Sequence, residues 1–427
     1  MIRFSALLLL LLHPSWAEPP TVDTSTLTGK IVCGYQGWFR CEGDGSDNGW
    51  HHYGGRDGFS PGNAGIEMWP DVREIPAKDR IATSFKFADG TPAEVFSSVK
   101  ASVVDLHFKW MQEYGIDGAM VQRFATSTRD ARYREPMNQV LDNCRTAAKA
   151  HGRGWALMYD LSGMKAGQME TVIDDWKNLI RDGRVPHGKM DRSYFQHHGR
   201  PLVALWGLGF HDRDPMLNDW ERLIEFLQHN PEFGGCSIML GVPYHWRTGR
   251  QDAISDPKLQ QIIATADIVS PWAVGRIGTP QDAAQRVEST LKPDLARCAE
   301  MKNDYLPVIF PGFSWQNLKQ SRGESAKFNA IPRLGGKFLW NQALAARRAG
   351  ATMLYVAMFD EMDEGTAIFK TNQQPPVGEN SFLAEPDLPS DHYLWLTGRI
   401  GQMLRGELPA IEEMPVRQNP AGSARTR

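Results

Sequence analysis

Asp360-Glu361-Met362-Asp363-Glu364 places four carboxylates within five positions. The segment before it, Ala351–Ala357, is mostly apolar and reads as a buried strand. The acids therefore sit at the end of a strand rather than in a polar surface stretch. Two carboxyl groups held close together are what cleavage of a glycosidic bond needs. One handles the leaving-group proton and the other assists attack at the sugar. Residues three apart face opposite ways on a strand but share a face in a helical turn. Glu361 and Glu364 can thus reach one cavity only if the strand ends near Phe359 or Asp360 and the chain then turns, which Gly365 favours. This makes Glu361 and Glu364 the candidate catalytic pair, with Asp360 and Asp363 as turn or supporting residues. Repulsion between two such groups raises one pKa and leaves an acid at neutral pH. A solvated acidic loop and a calcium site are competing readings of the same oxygens, although EF-hand spacing is absent.

Such a pair needs a scaffold. Short apolar runs bounded by turn residues recur at Ile31–Gln36, Gly118–Arg123, Trp155–Tyr159, Pro201–Trp206, Cys236–Gly241, Asp267–Trp272, Leu306–Phe310 and Thr352–Met358. They are nearly continuous in apolar character, as strands buried on both faces are. Segments with helical spacing lie between them: Ala93–Tyr114, Arg132–His151, Asp174–Arg181, Pro215–His229, Pro257–Thr265, Gln281–Met301 and Gly336–Arg348, with His392–Leu404 after the last. Eight strands each followed by a helix predict an α/β fold, a (β/α)₈ TIM barrel. An open doubly wound sheet is the alternative, but no Gly-x-Gly-x-x-Gly follows the first run. The first strand-to-helix connection, from about Gly37 to Thr91, is the long one, and long loops in compact domains commonly form a wall or lid of a site.

In a barrel the chemistry sits at the C-terminal ends of the strands. Those ends and the long first loop supply the substrate-binding candidates: Tyr35, Trp38, Trp50, His51, His52, Gln122, Asp160, Trp206, Tyr244, Trp272 and Trp315. Aromatic faces beside polar groups suit the apolar faces and hydroxyls of sugar rings. Core packing is the plainer reading of any one of them. For the adjacent His51 and His52, substrate hydrogen bonding is the favoured reading, plain loop structure the next and a metal the least, because neighbouring residues rarely point at one ion and no His-Glu-x-x-His is present. No Gly-x-Ser-x-Gly elbow appears either. No cofactor and no metal are expected.

The N-terminus carries a basic start, the apolar stretch Phe4–Leu12 and the small residues Ser15 and Ala17. Residues 1–17 are expected to be a cleaved secretory signal peptide, too short to span a bilayer, so the protein is expected to be secreted or periplasmic. Residues 18–407 form the barrel, and 408–427, rich in Pro, Glu and Arg, are expected to be disordered. Without Arg3 the mature chain has 46 basic and 50 acidic residues, a charge of −4 with histidine neutral. This gives no basic footprint for nucleic acid or anionic lipid. Five cysteines are sparse and odd in number; Cys33 and Cys41 are near enough in sequence to pair, though Cys33 lies in an apolar run.

The run Tyr355–Thr366 resembles the Asn-Glu-Trp-His-Glu-Gly-Thr motif of glycoside hydrolase family 99, which contains endo-acting α-mannosidases. Gly34-Tyr35-Gln36-Gly37-Trp38-Phe39, followed by Trp50-His51-His52-Tyr53, is similar to the first-strand motif and following His/aromatic loop of that family. His198-Gly199-Arg200-Pro201-Leu202-Val203 is similar to the start of its fourth strand. The pattern fits a group spanning families 71 and 99 better than family 99 itself. The resemblance implies a retaining glycosidase acting on a polysaccharide or glycan without metal. By position, Glu361 would act on the sugar's own 2-hydroxyl and Glu364 would be the acid/base. Asp360, Met362 and Asp363 stand where the motif has Asn, Trp and His, which puts subsite shape and sugar identity in question. A carbohydrate-binding barrel without turnover is the alternative.

Overall fold

Eight parallel strands carry the fold, and each expected run overlaps one. They are Ile31–Tyr35, Gly118–Phe124, Gly154–Asp160, Arg200–Trp206, Ser237–Pro243, Ile268–Trp272, the interrupted Asp304–Tyr305 and Val308–Ile309, and Leu354–Val356. The computed structural model describes residues 21–55, 58–186 and 191–417. The expected signal peptide lies outside them.

Each strand pairs in parallel with the next, and the first also pairs with the eighth, Val32 opposite Tyr355. The seventh segment closes the ring. Asp304–Tyr305 pairs with the sixth strand and Val308–Ile309 with the eighth. Pro307 interrupts the segment because it has no N–H to give, yet its carbonyl still accepts from Tyr355 N at 3.1 Å. The result is the expected (β/α)₈ barrel. Strands such as Ser237–Pro243 are buried at every position, which is why they read as continuous apolar runs.

The helices fall close to expectation, with local causes visible. Thr279 and Asp282 form a capping box with Pro280 at the first helical position, starting the helix Pro280–Arg286. One expectation is corrected. Ala93–Tyr114 is not one helix: Pro92–Phe96 is a strand paired antiparallel with Arg80–Lys86, and the helix runs Ala101–Tyr114. Val95 and Phe96 fit a helical spacing, but their β-branched and aromatic side chains suit a strand and are buried. The hairpin helps to hold the long first loop in place, where Phe59, Trp69 and Phe85 pack ring to ring.

Cys33 and Cys41 do not pair; all five cysteines are free and buried, and Cys41 Sγ donates to the Phe96 carbonyl. Part of the expected disordered tail makes specific contacts. Ile411 O accepts from Trp340 Nε1 at 3.1 Å and Arg417 pairs with Asp391. Residues 418–427 lie outside the described chain. Among the described residues no helix is long and apolar enough to cross a membrane.

Candidate active site

The eighth strand ends at Val356, and the chain folds back on itself through a turn at residues 362–365. Gly365 takes the left-handed conformation (φ 65°) at which a side chain is strained. Thr366 N and Ala367 N both return to the Glu361 carbonyl, at 3.2 and 3.0 Å. This is the turn that the i, i+3 spacing of Glu361 and Glu364 required.

Three anchors fix the turn. Asp360, fully buried, accepts from Gln36 N at 2.7 Å and Gly37 N at 2.8 Å, tying it to the end of the first strand. The Glu67 amide from the long first loop donates to Met362 O at 2.9 Å, while its buried carboxyl accepts from Ser314 Oγ and Asn317 N. Arg333 donates to the carbonyls of Gly365 and Ala367. The first, seventh and eighth loops are thus locked together, which explains how a long loop becomes a wall.

The two glutamates have different surroundings. Glu361 Oε1 accepts from Gln36 Nε2 at 2.6 Å, and Oε2 accepts from Thr366 Oγ1 at 2.7 Å. Burial pushes its pKa up to about 8, helped by the Asp363 charge, and those two donors oppose the rise. The Glu364 carboxyl receives no hydrogen bond among the described residues. Burial pushes its pKa well up, and the charges of Glu361 and Asp363 push it further; Arg322 and Lys319 pull it back. Of the pair, Glu361 is therefore the better carboxylate and Glu364 the better acid.

Asp363 points into the first loop. Its Oδ2 lies 2.8 Å from His52 Nδ1, and the imidazole stacks on Trp38 with centroids 3.7 Å apart and planes at 7°. Burial pushes His52 down to about 3 and Asp363 up to about 7. While Asp363 is ionised, the neutral ring must donate through Nδ1–H, leaving Nε2 as an acceptor. His51 and His52 line two cavities. One, of about 560 Å³, also has Ser321 and Arg322 in its wall; the other, of about 300 Å³, has Gln36, Trp38, Phe124 and Tyr133.

A second group lies across the barrel mouth. Trp206 and Trp272 meet edge to face at 5.3 Å, and Trp272 lies 6.5 Å from Tyr355. Gln122 Nε2 donates to the Tyr355 hydroxyl at 3.3 Å. Asp160 accepts from Ser162 N at 2.7 Å, and burial raises its pKa. The contacts thus form two groups: Trp38, His51 and His52 joined to the turn through Asp363, and Gln122, Trp272 and Trp206 linked through Tyr355, with Asp160 opposite Trp206 on the neighbouring strand.

Other expected binding residues are placed elsewhere. Tyr35 is fully buried and bonds His107 Nδ1 at 2.9 Å on the helix side of its strand. Alternation puts Gly34 inward instead, where a Cβ would lie 2.2 Å from the Tyr355 hydroxyl. Trp50 packs within the first loop on Phe59 and Tyr53. Tyr244 reaches Thr290 with Arg286 over its ring, away from the mouth. Trp315, by contrast, stays beside the turn: its neighbour Ser314 donates its amide to Glu364 O at 3.0 Å, and its half-exposed ring packs against Phe313 and under Lys319.

Sequence reasoning did not assign roles to Gln36, Thr366, Tyr355, Phe124 or Arg213. Gln36 and Thr366 lie within the motifs quoted above, and that membership was the available signal. Arg213, which lies over Trp206 at 5.0 Å and donates to Ser162 Oγ, comes from a loop with no motif.

No protein-family model and no curated protein match this chain. Solved structures do. The chain is similar to the GH99 endo-α-mannosidase from Bacteroides thetaiotaomicron in complex with Bis-Tris-propane, with TM-score 0.61 and 16% identity over 90% of this chain and 99% of that one. A second structure of that enzyme gives TM-score 0.58 and 16% identity over 89% and 99%. A structure described as a glycoside hydrolase-like protein gives 0.54 and 12% over 89% and 96%. At such identities the likeness is one of fold, and the chain has the (β/α)₈ architecture of these proteins along nearly their whole length, consistent with a distant resemblance to family 99.

Proposed function

We propose that this protein is a glycoside hydrolase that acts on a polysaccharide or glycan after export, with Glu361 and Glu364 as its catalytic pair. The observation that carries the reading is the asymmetry of the two carboxyls. Glu361 is held by two hydrogen-bond donors, whereas Glu364 has none, and burial and its neighbours' charge push its pKa up. Paired acids with pKa values driven apart suit proton transfer to and from a glycosidic bond.

In the retaining mechanism that the resemblance implies, Glu361 takes the proton of the sugar 2-hydroxyl as O2 attacks the anomeric carbon. Glu364 gives its proton to the departing oxygen. Water then attacks the anomeric carbon, Glu364 takes the water's proton, and Glu361 returns its own to O2. Trp38, Trp206 and Trp272 would present ring faces and edges to the sugars, while His52 Nε2, Gln122 and Asp160 would bond hydroxyls. The test is reducing-end release from a panel of plant, algal and host glycans. We expect release from at least one member by the wild type; binding without release from any member would contradict an enzymatic role.

A further inference from the structure

At the opposite, N-terminal face of the barrel, two adjacent histidines converge on one carboxylate oxygen. His197 Nε2 lies 2.7 Å and His198 Nε2 3.0 Å from Asp304 Oδ2. Adjacent side chains on a strand point apart. Here His198 (φ 51°) and Gly199 (φ 73°) turn the hairpin between Gln196–His197 and Arg200–Trp206, and the two rings come within 4.2 Å. His51 and His52, by contrast, send their rings to different partners, Tyr133 and Asp363.

We propose that His197, His198 and Asp304 form a divalent transition-metal site suited to Zn²⁺. Among the described residues, this is the group whose His, Cys or carboxylate ligand atoms come together within 4.8 Å. Two imidazole nitrogens and one carboxylate oxygen, with a fourth position for water, are a familiar zinc donor set. Tetrahedral bonds to zinc place ligand atoms roughly 3.4 Å apart, so the group opens by about half an ångström as the ion replaces the shared protons.

The surroundings fit. Asp267 Oδ1 lies 3.5 Å from His198 Nδ1, in position to hold that nitrogen protonated, as the far nitrogen of a metal-bound histidine usually is. Asp267 is itself fixed by Arg200 and by the Ile238 amide. Leu27 N–H donates to His197 Nδ1 at 3.5 Å, the outer limit of a hydrogen bond; an ion on Nε2 moves the ring proton to Nδ1 and so costs this one long bond. An ion here would clamp the hairpin to the start of the seventh strand, far from Glu361, and so would act on stability.

The test uses untagged full-length protein, freed of metal with a chelator and titrated with Zn²⁺ at neutral pH by calorimetry. Co²⁺ absorption reports the geometry. One equivalent should bind with a Kd of about 10 μM or tighter and raise Tm. His198→Asn, which keeps the left-handed turn, and Asp304→Asn should each weaken binding about tenfold or more. His229→Asn, at an exposed histidine outside this cluster, should leave it unchanged. Absence of uptake, or uptake unaltered in His198→Asn, overturns the proposal; that variant decides the matter if Asp304→Asn does not fold.

Discussion

The side-chain amide of Gln36 donates to Glu361 Oε1 at 2.6 Å, joining residues 325 apart in sequence across the barrel seam. The bond links the end of the first strand to the turn after the eighth, and it stabilises the ionised form of Glu361. Gln36→Leu and Thr366→Val should each remove a donor and raise the Glu361 pKa by roughly 1–2 units. The carboxylate needed for attack is then scarcer at neutral pH. The acidic limb of kcat/KM, set by Glu361 and expected above the ordinary carboxylate range, should move to higher pH. A pH profile in which neither variant moves that limb would contradict the role given to Glu361.

Asp363 acts in the other direction. Its charge raises the pKa of both glutamates. Asp363→Asn keeps an acceptor for His52 Nδ1–H but removes the charge, so both limbs of the profile should shift to lower pH. Shifts of both limbs upward, measured on the same substrate, would reverse the assignment.

Asp360 bears on stability. Burial raises its pKa from 3.8 to about 7, against the pull of the Gln36 and Gly37 amides. Between those pH values the folded chain holds a proton that the unfolded chain releases. The stability associated with protonated Asp360 is therefore full below about pH 4 and is lost as pH rises through 7. Relative to Asp360→Asn, which does not titrate, the wild type should lose on the order of a few kcal/mol between pH 4 and pH 8. Denaturant unfolding at those two pH values measures it; a constant difference between the two proteins would contradict the shifted pKa.

The barrel was legible because strands buried on both faces are written as continuous apolar runs, and those runs survive reading without an alignment. The hairpin at Pro92–Phe96 was not, because Val95, Phe96 and Val99 satisfy a helical period while forming a strand and its exit. For the candidate site, position after a strand singled out Glu361 and Glu364, and aromatic type in the first loop singled out Trp38 and His52, which stack on one another. Tyr35 was misplaced because the last residue of a strand can face either side, and only the close contact of Gly34 with Tyr355 fixes the register. Gln36 and Thr366 carry little signal alone, since their roles depend on which carboxylate folding brings beside them. The contacts of Ile411 and Arg417 were hidden because a polar, proline-rich segment can be held by a few hydrogen bonds without an apolar stripe.

The central claim is that Glu364 supplies the proton to the departing oxygen. Its most direct test is kcat/KM for Glu364→Gln against the wild type on two substrates that share a sugar, one with a natural glycosidic linkage and one with an activated aryl leaving group. The account predicts a loss of about 10³-fold on the natural linkage, a much smaller loss in the bond-breaking step on the aryl glycoside, and an unchanged fold. Equal losses on both substrates, or full activity on the natural linkage, would contradict it.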